Sequence, residues 1–175
     1  MTIAAREVLS DCRLALDMLQ MESDPNRWRV LWAGAAALIR AVGHVLLNVD
    51  QPSDPRVAKA GIAAHKRWTS GDLSHSIYRD FIKNERDNIL KEYRSNVHPL
   101  EKVDVLVRLT LQNPKTGEIK YIDEIQVLDE NLFRPLVEGY GEGEDARDAY
   151  QEALDWWDRE LTRIDADAAA HKGSP

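Results

Sequence analysis

Residues 23–55 read SDPNRWRVLWAGAAALIRAVGHVLLNVDQPSDP and decide the fold. The tripeptide Ser-Asp-Pro occurs at both ends of this stretch. In each copy the aspartate can accept hydrogen bonds from the first free N–H groups of a helix, and the fixed φ of proline suits the first helical position. Helices are therefore predicted to begin at Pro25 and at Pro55. The residues between them are apolar nearly all round, which predicts a central helix over about 25–49.

This central segment is apolar enough to resemble a membrane span. Its longest run without a charge, residues 30–39, has ten residues, whereas a span needs roughly 20 mostly apolar residues. We therefore predict a buried core helix. The N-terminal residues lack the long apolar run of a signal peptide, and the single cysteine, Cys12, can form no disulfide within the chain. Both features lead us to expect a cytoplasmic protein without a membrane partner.

Two further patterns complete the predicted fold. Helical periodicity of the apolar residues predicts helices over about 3–21, 55–69, 73–94 and 144–166. Between the last two helices the period changes to two, and turn-forming residues (QNPKTG, 112–117) separate two alternating runs. We therefore predict a mainly α fold, an up-and-down bundle of about five helices with an antiparallel β-hairpin inserted at about 103–127 before the last helix.

The domain boundaries and two local features are also predicted. Residues 1–167 form one domain, and residues 168–175 form a disordered tail. Residues 129–137 form a short helical turn. Trp156 and Trp157 are adjacent on one helix and so point about 100° apart. One of them, Trp156, is therefore predicted at a partly exposed edge or a subunit contact.

The hairpin needs a partner surface, because an isolated two-stranded hairpin is only marginally stable in water. One face of the first strand carries Val103, Val105, Val107, Leu109 and Leu111. One face of the second strand carries Ile119, Tyr121, Ile125 and Val127. We predict that the hairpin packs on the helices, pairs with a second copy of the chain, or recruits a strand of a protein partner.

Charge is distributed unevenly along the chain, whose net charge is −7. Residues 56–94 contain nine Lys/Arg and five Asp/Glu, whereas residues 122–167 contain four Arg and fifteen Asp/Glu. An acidic surface disfavours a phosphate backbone. An anionic partner such as RNA or a nucleotide is therefore expected at residues 56–94.

The fourth predicted helix carries a cation among its apolar residues. Ile82, Arg86, Ile89 and Tyr93 follow one another at spacings of four, three and four residues. At helical geometry this spacing puts all four on one face. A guanidinium on a buried face needs a partner, since an unpaired buried charge is very costly.

The central helix raises the same question, because two of its polar residues share a face, Arg40 and His44. Two explanations stay open. The arginines can be satisfied by an internal network with acids, namely Asp11, Asp17 or Glu85. Alternatively, the polar groups line a pocket or a dimer cleft, namely Arg40, His44, Arg86 and Tyr93.

The sequence RDNILKEY at 86–93 resembles the motif of the HEPN superfamily, helical domains in which Arg is followed after four residues by His and after one more by Tyr. Arg86 matches the Arg, Asp87 matches the polar residue that usually follows it, and Tyr93 matches the Tyr. Lys91 stands in place of the His. The resemblance implies a bundle of four or five helices that dimerises with the motif helices facing. It also implies, for active members, metal-independent RNA cleavage by the Arg and the His.

Two functions follow from this comparison. Lysine has an ordinary pKa of about 10.4, and histidine has one of about 6.5. At neutral pH lysine is therefore protonated and is a poorer general base than histidine. We therefore expect a HEPN-like protein without catalysis, a binding or scaffold module that forms a homodimer. The alternative is a metal-independent HEPN-type RNase, of a toxin–antitoxin or defence system, in which Arg86 acts with His44 or His98. The candidate catalytic residues are Arg86, Lys91, Tyr93 and His44, and the candidate cleft residues are Arg40 and Asp87.

No cofactor or metal is expected. His65, His75 and His98 fall on different predicted elements, and the chain has neither a zinc-protease motif nor a cysteine pair. The glycine-rich stretch GYGEGE at 139–144 lacks the Lys-Ser/Thr of a phosphate-binding loop.

Overall fold

The structure, a computed structural model, describes residues 1–92, 94–97, 103–114, 116–128 and 133–170. It confirms the predicted fold class, because five helices form a bundle with an antiparallel hairpin before the last helix. The helices are α1 (Ile3–Met21), α2 (Pro25–Val45, continued by Leu46–Asp50 and Gln51–Ser53), α3 (Pro55–Thr69), a composite α4, and α5 (Ala146–Ala170). α4 consists of a 3₁₀ turn Leu73–His75, π-helical Ile77–Lys83, α-helical Asn84–Asp87 and π-helical Asn88–Glu92. The strands are β1 (Val103–Gln112) and β2 (Ile119–Leu128).

The two predicted Ser-Asp-Pro helix starts are confirmed. Asp24 accepts hydrogen bonds from two free backbone N–H groups of α2, at 3.0 and 2.8 Å, and Asp54 accepts one from α3 at 3.0 Å. α1 has no side-chain cap of its own. Instead, the buried Asp50 accepts from the backbone N–H groups of Ala4 and Ala5, at 3.0 and 2.9 Å. The end of α2 thereby stabilises the start of α1.

The segment Pro25–Ser53 is the one described helix that is long and apolar enough to cross a membrane by length and composition. In the bundle it contacts all four other helices. Trp28, Trp32 and Ile39 are among its buried side chains, but Val30, Leu47 and Val49 are 65%, 54% and 48% exposed. Only 33% of its most apolar window is buried, so the predicted core helix is only partly buried.

α5 lies in the middle of the bundle, in contact with all four other helices. Both adjacent tryptophans are therefore buried, with 3% of Trp156 and 0% of Trp157 exposed. The prediction of a partly exposed Trp156 is wrong, because helices cover α5 on more than one side. The two indole rings lie 4.9 Å apart and form an aromatic cluster with Trp68 and Tyr78.

α4 is mostly π-helical, and this changes which of its side chains face the core. A π turn contains more residues than an α turn, so positions that share a face at α-helical spacing drift apart. Glu85 is buried, with 3% exposed, whereas the Arg86 side chain keeps 33% of its surface exposed. The prediction that Arg86 lies on the buried stripe is therefore wrong. Glu85 takes the inward position, together with Ile82 and Ile89.

The hairpin is confirmed, but its faces differ from the prediction. Leu106 pairs with Ile125 and Leu109 pairs with Ile122. In this register the apolar rows of the two strands lie on opposite faces, so both faces carry apolar side chains. Leu106, Tyr121 and Ile125 are 62%, 62% and 67% exposed. For the described side chains, the prediction that the hairpin packs on the helices is therefore wrong.

Two smaller predictions also need correction. Residues 133–137 are extended rather than helical, because they form isolated β-bridges with other parts of the chain. Residues 129–132 lie outside the described residues. α5 continues to Ala170, so a disordered tail from position 168 is wrong for 168–170, and 171–175 lie outside the described residues.

Candidate functional site

A cleft of about 350 Å³ opens between α2 and α3, and we call it the α2–α3 cleft. Its polar lining residues are Arg40, His44, Gln51, His65, Lys66 and Tyr78. Its apolar lining includes Leu46, Leu47, Ile62 and Trp68. The cleft thus combines an apolar floor with a polar wall, as ligand sites usually do.

The polar wall of this cleft is basic. Arg40 and Lys66 are cations, and two imidazoles, His44 and His65, stand beside them. None of the described residues that line the cleft is acidic. Neither Arg40 nor Lys66 makes an ion pair with any part of the chain that the structure describes. Their charges are therefore available to an anionic ligand.

Arg40 is held in place by an aromatic ring rather than by an acid. Its guanidinium carbon lies 5.5 Å from the centroid of the Tyr78 ring, and its Nη1 donates to the Tyr78 hydroxyl at 3.3 Å. Tyr78 is buried and stacks on Trp156, with ring centroids 5.4 Å apart. A cation over an aromatic face is oriented without being neutralised.

Two glycines let the walls of the cleft approach closely. A Cβ on Gly61 would overlap the side-chain amide nitrogen of Gln51, and a Cβ on Gly43 would lie 3.0 Å from the Trp157 ring. Glycine inside a helix costs roughly 1 kcal/mol relative to alanine. The rigid Trp157 ring gives a reason for the glycine at position 43, whereas the neighbour of Gly61 is the end of a flexible glutamine side chain that can move.

His44 lies at the exposed rim of the cleft. Partial burial and then the charges of Arg40 and Arg86 hold its pKa below the ordinary value. The imidazole is therefore neutral at pH 7, and one of its nitrogens can accept a hydrogen bond or a proton.

The two described residues of the Arg-x4-Lys-x-Tyr motif, Arg86 and Lys91, form a separate cluster around Asp87. Nη1 of Arg86 lies 2.7 Å from one carboxylate oxygen, and Nζ of Lys91 lies 2.9 Å from the other. The hydrogen bonds from Lys91 and Arg86 hold the pKa of Asp87 below its usual range. The predictions for Tyr93 and His98 fall outside the described residues.

Neither arginine pairs with Asp11, Asp17 or Glu85, the acids that were predicted as examples of partners, although Arg86 does pair with an acid. Arg86 pairs with its neighbour Asp87, and Arg40 pairs with the Tyr78 hydroxyl. The predicted acids of α1 lie on its exposed face, namely Asp11 and Asp17.

Glu85, the third predicted acid, serves a different purpose. Its Oε1 accepts from Trp32 Nε1 at 2.7 Å, from Ser95 Oγ at 3.1 Å and from the backbone N–H of Asn96 at 3.3 Å. Burial raises the pKa of this carboxyl, and the three hydrogen bonds oppose that rise. Glu85 therefore joins α2, α4 and the chain that follows α4.

The cleft contains residues that sequence reasoning did not single out as a site. Arg40 and His44 come together as predicted, while α3 adds His65 and Lys66. One signal in the sequence pointed to this part of α3, namely Gly61. An isolated glycine within a helical pattern is often present for a packing or functional reason.

Among the described residues, no group of three or more His, Cys, Asp or Glu side chains could hold a metal ion. His65 lines the α2–α3 cleft, whereas His75 lines a different pocket. Cys12 is buried, and burial raises its pKa to about 11, so it is a protonated core thiol.

Comparisons of the chain with protein-family models, with curated proteins and with solved structures find no match. The functional conclusion therefore depends on the geometry of the cleft.

Proposed function

We propose that the chain is a non-catalytic, HEPN-like binding module whose α2–α3 cleft takes a nucleotide-class ligand. The observation that carries this proposal is the pair of cations without acidic partners, Arg40 and Lys66, beside an apolar floor. The five-helix layout and the match at Arg86 and Asp87 support the HEPN-like classification.

The cleft has the size and chemistry that a mononucleotide requires. Its volume of about 350 Å³ lies within the range of small-molecule sites. Leu47 and Ile62 line it and are each 54% exposed, which offers apolar contact to a base. Arg40 and Lys66 can form charge-assisted hydrogen bonds with the phosphate. Lys66 belongs to the basic stretch 56–94 in which an anionic partner is predicted, and the fold places Arg40 in the same cleft.

Arg40→Gln is expected to raise the Kd for AMP at least about 10-fold, since a hydrogen bond to a charged group contributes about 1.5–3 kcal/mol. Lys66→Gln is also expected to raise the Kd for AMP. Because Lys66 is exposed, this substitution should leave the core undisturbed. Isothermal titration with AMP measures both variants, and titration with adenosine reports the contribution of the nucleoside without its phosphate.

The matched control for these titrations is Arg29→Gln, which removes an exposed arginine of α2 outside the cleft. It should bind AMP as the wild type does. The proposal fails when the wild type shows no saturable binding of AMP, or when both cleft variants keep the wild-type Kd.

One observation favours the second candidate, a metal-independent endoribonuclease. His44 is neutral at pH 7, and the positive charges of Arg40 and Arg86 are close enough to lower its pKa. A neutral imidazole can take the proton from a ribose 2′-hydroxyl as that oxygen attacks phosphorus, while arginines stabilise the charge that develops on the phosphate. The P–O5′ bond then breaks to leave a 2′,3′-cyclic phosphate, and the departing 5′-oxygen takes a proton from water or from the imidazolium.

We expect the wild type to leave single-stranded RNA intact in the presence of a metal chelator, in keeping with a non-catalytic module. Cleavage by the wild type that falls at least about 100-fold in both His44→Ala and Arg86→Ala would overturn this expectation and establish the nuclease. Activity that appears only in Lys91→His would indicate a decayed site on a preserved bundle. Gel analysis of a labelled RNA distinguishes these outcomes.

We further propose that the hairpin makes the module a homodimer. The apolar side chains exposed on its two faces are Leu106, Leu109, Leu111, Ile119, Tyr121, Ile122 and Ile125. Leu106, Ile119, Tyr121 and Ile125 share one face, and Leu109, Leu111 and Ile122 share the other. The first face presents on the order of 450 Å² per chain, the size of the largest apolar patch on a typical monomer, which often marks an interaction site. A second copy supplies an identical complementary surface.

A further inference from the structure

A second pocket, of about 500 Å³, lies where the end of α3, the start of α4 and the middle of α5 meet, and we call it the α3–α5 pocket. The aromatic cluster stands between it and the α2–α3 cleft. Trp68 lines the cleft, Trp156 lines the pocket, and their ring centroids are 5.4 Å apart. The function proposed for the cleft does not use this pocket.

Three side chains of the pocket keep a buried nitrogen with no hydrogen-bond partner among the described residues, namely Arg67 Nε, His75 Nδ1 and Trp156 Nε1. His75 is 7% exposed and Trp156 is 3% exposed. Each such unmade bond costs about 1–3 kcal/mol. Indole and guanidinium N–H groups can only donate. The Arg67 Nε–H and Trp156 Nε1–H groups therefore lack an acceptor.

Two exposed arginines of α5 stand at the same pocket. Arg159 and Arg163 are four residues apart and share one face of the helix. Neither makes an ion pair with the described part of the chain. They are two of the four arginines in the acidic stretch 122–167, so the acidic character of that stretch does not extend to this pocket.

The two acids of the pocket are already engaged. Glu160 accepts from Trp68 Nε1 at 2.6 Å and lies 3.5 Å from Nη2 of Arg67. Asp72 accepts from the backbone N–H of Ser74 at 2.9 Å. Three arginines therefore face two carboxylates, and the pocket keeps a positive charge and unused donors.

We propose that the α3–α5 pocket binds a phosphate monoester. The phosphate oxygens supply the acceptors that the buried nitrogens lack, and the two exposed guanidinium groups can pair with the dianion in bidentate geometry. The volume of about 500 Å³ leaves room for the group that carries the phosphate. The same tetrahedral dianion occurs in free inorganic phosphate and in phosphorylated small molecules, and the two sources can be separated experimentally.

Titration of ¹⁵N-labelled protein with inorganic phosphate and, separately, with glycerol phosphate at constant ionic strength tests this proposal. The readout is the indole N–H resonance of Trp156, identified by its loss in Trp156→Phe. We expect a saturable shift with a Kd of about 1 mM or lower, and a Kd at least about 10-fold higher in Arg163→Gln and in Arg159→Gln. Equal affinity for the two probes indicates a site for free phosphate, and tighter binding of the ester indicates a site for a phosphorylated molecule.

The control variant is Arg29→Gln, at an exposed arginine outside both sites, and it should bind phosphate as the wild type does. Arg40→Gln and Lys66→Gln test the nucleotide proposal, whereas Arg159→Gln and Arg163→Gln test this one, so that failure here and failure of the nucleotide proposal are distinguishable. The absence of a saturable shift would overturn the proposal. So would an equal shift with sodium chloride, or an unchanged Kd in both α5 variants.

Discussion

Glu85→Ala will lower the free energy of unfolding by at least about 3 kcal/mol, because three hydrogen-bond donors lose the one buried acceptor that they share. Trp32 Nε1, Ser95 Oγ and the Asn96 N–H all donate to the same oxygen of Glu85, which is 3% exposed. For a chain of this length the midpoint of thermal unfolding should fall by about 6–12 °C. Thermal and urea unfolding followed by circular dichroism measure the effect.

The matched control is Glu92→Ala, which removes an exposed glutamate of the same helix. Glu92 has one weak ion pair, with Arg94 at 4.0 Å, and exposed substitutions usually change stability by less than about 0.5 kcal/mol. A loss below about 1 kcal/mol in Glu85→Ala would show that this carboxylate does not hold α4 against α2.

The pH dependence of stability gives an independent check on Glu85. Burial raises its pKa, so the folded protein binds this proton more tightly than the unfolded chain does. Its contribution to stability is therefore greatest below the unfolded pKa and falls as the pH rises through the folded pKa. Glu85→Gln cannot ionise, so its stability relative to wild type should increase between about pH 4 and about pH 7. A constant difference across this range would contradict the raised pKa.

The double variant Leu106→Asp, Ile125→Asp will raise the dimer dissociation constant at least about 100-fold, because an unpaired charge buried in an interface costs about 2–5 kcal/mol. Leu106 and Ile125 are a cross-strand pair on one face of the hairpin, so the two charges meet the partner at one place. Analytical ultracentrifugation over a range of protein concentrations measures the dissociation constant.

The control for the hairpin is the double variant Val30→Asp, Leu73→Asp. It introduces the same charges at apolar positions that are 65% and 83% exposed on the helices. This variant should keep the dimer. A wild type that is monomeric at all concentrations would refute self-association and leave the hairpin as a surface for a different protein.

The order and bounds of the elements could be predicted because their signals are local. The Ser-Asp-Pro pairs begin α2 and α3, and α1 and α3 end where the apolar periodicity ends. The strands follow from alternation and from the turn residues between them. Each of these signals involves residues within a few positions of one another, so no tertiary information is needed to recognise it.

The faces of the elements could not be predicted as well. Arg86 leaves the buried stripe because π turns change the angular spacing along α4. Trp156 is buried because α5 contacts every other helix. The two apolar rows of the hairpin lie on opposite faces because register, and not alternation alone, decides which residues share a face.

The candidate sites, too, could be predicted only where their residues are close together in the sequence. Arg40 and His44 could be paired from sequence because they are one helical turn apart, but His65 and Lys66 join them only where α3 meets α2. The α3–α5 pocket collects residues more than 80 positions apart, among them His75 and Trp156. No local pattern predicts such a meeting.

The sequence by itself determined a helical bundle with an inserted hairpin, because caps, periodicity and turn chemistry act between near neighbours in the chain. Only the tertiary structure decided which cations remain without acidic partners. Burial and pairing depend on contacts between distant segments. Arg86 pairs with its sequence neighbour Asp87, whereas the packing of distant segments leaves Arg40, Lys66, Arg159 and Arg163 open to anionic ligands.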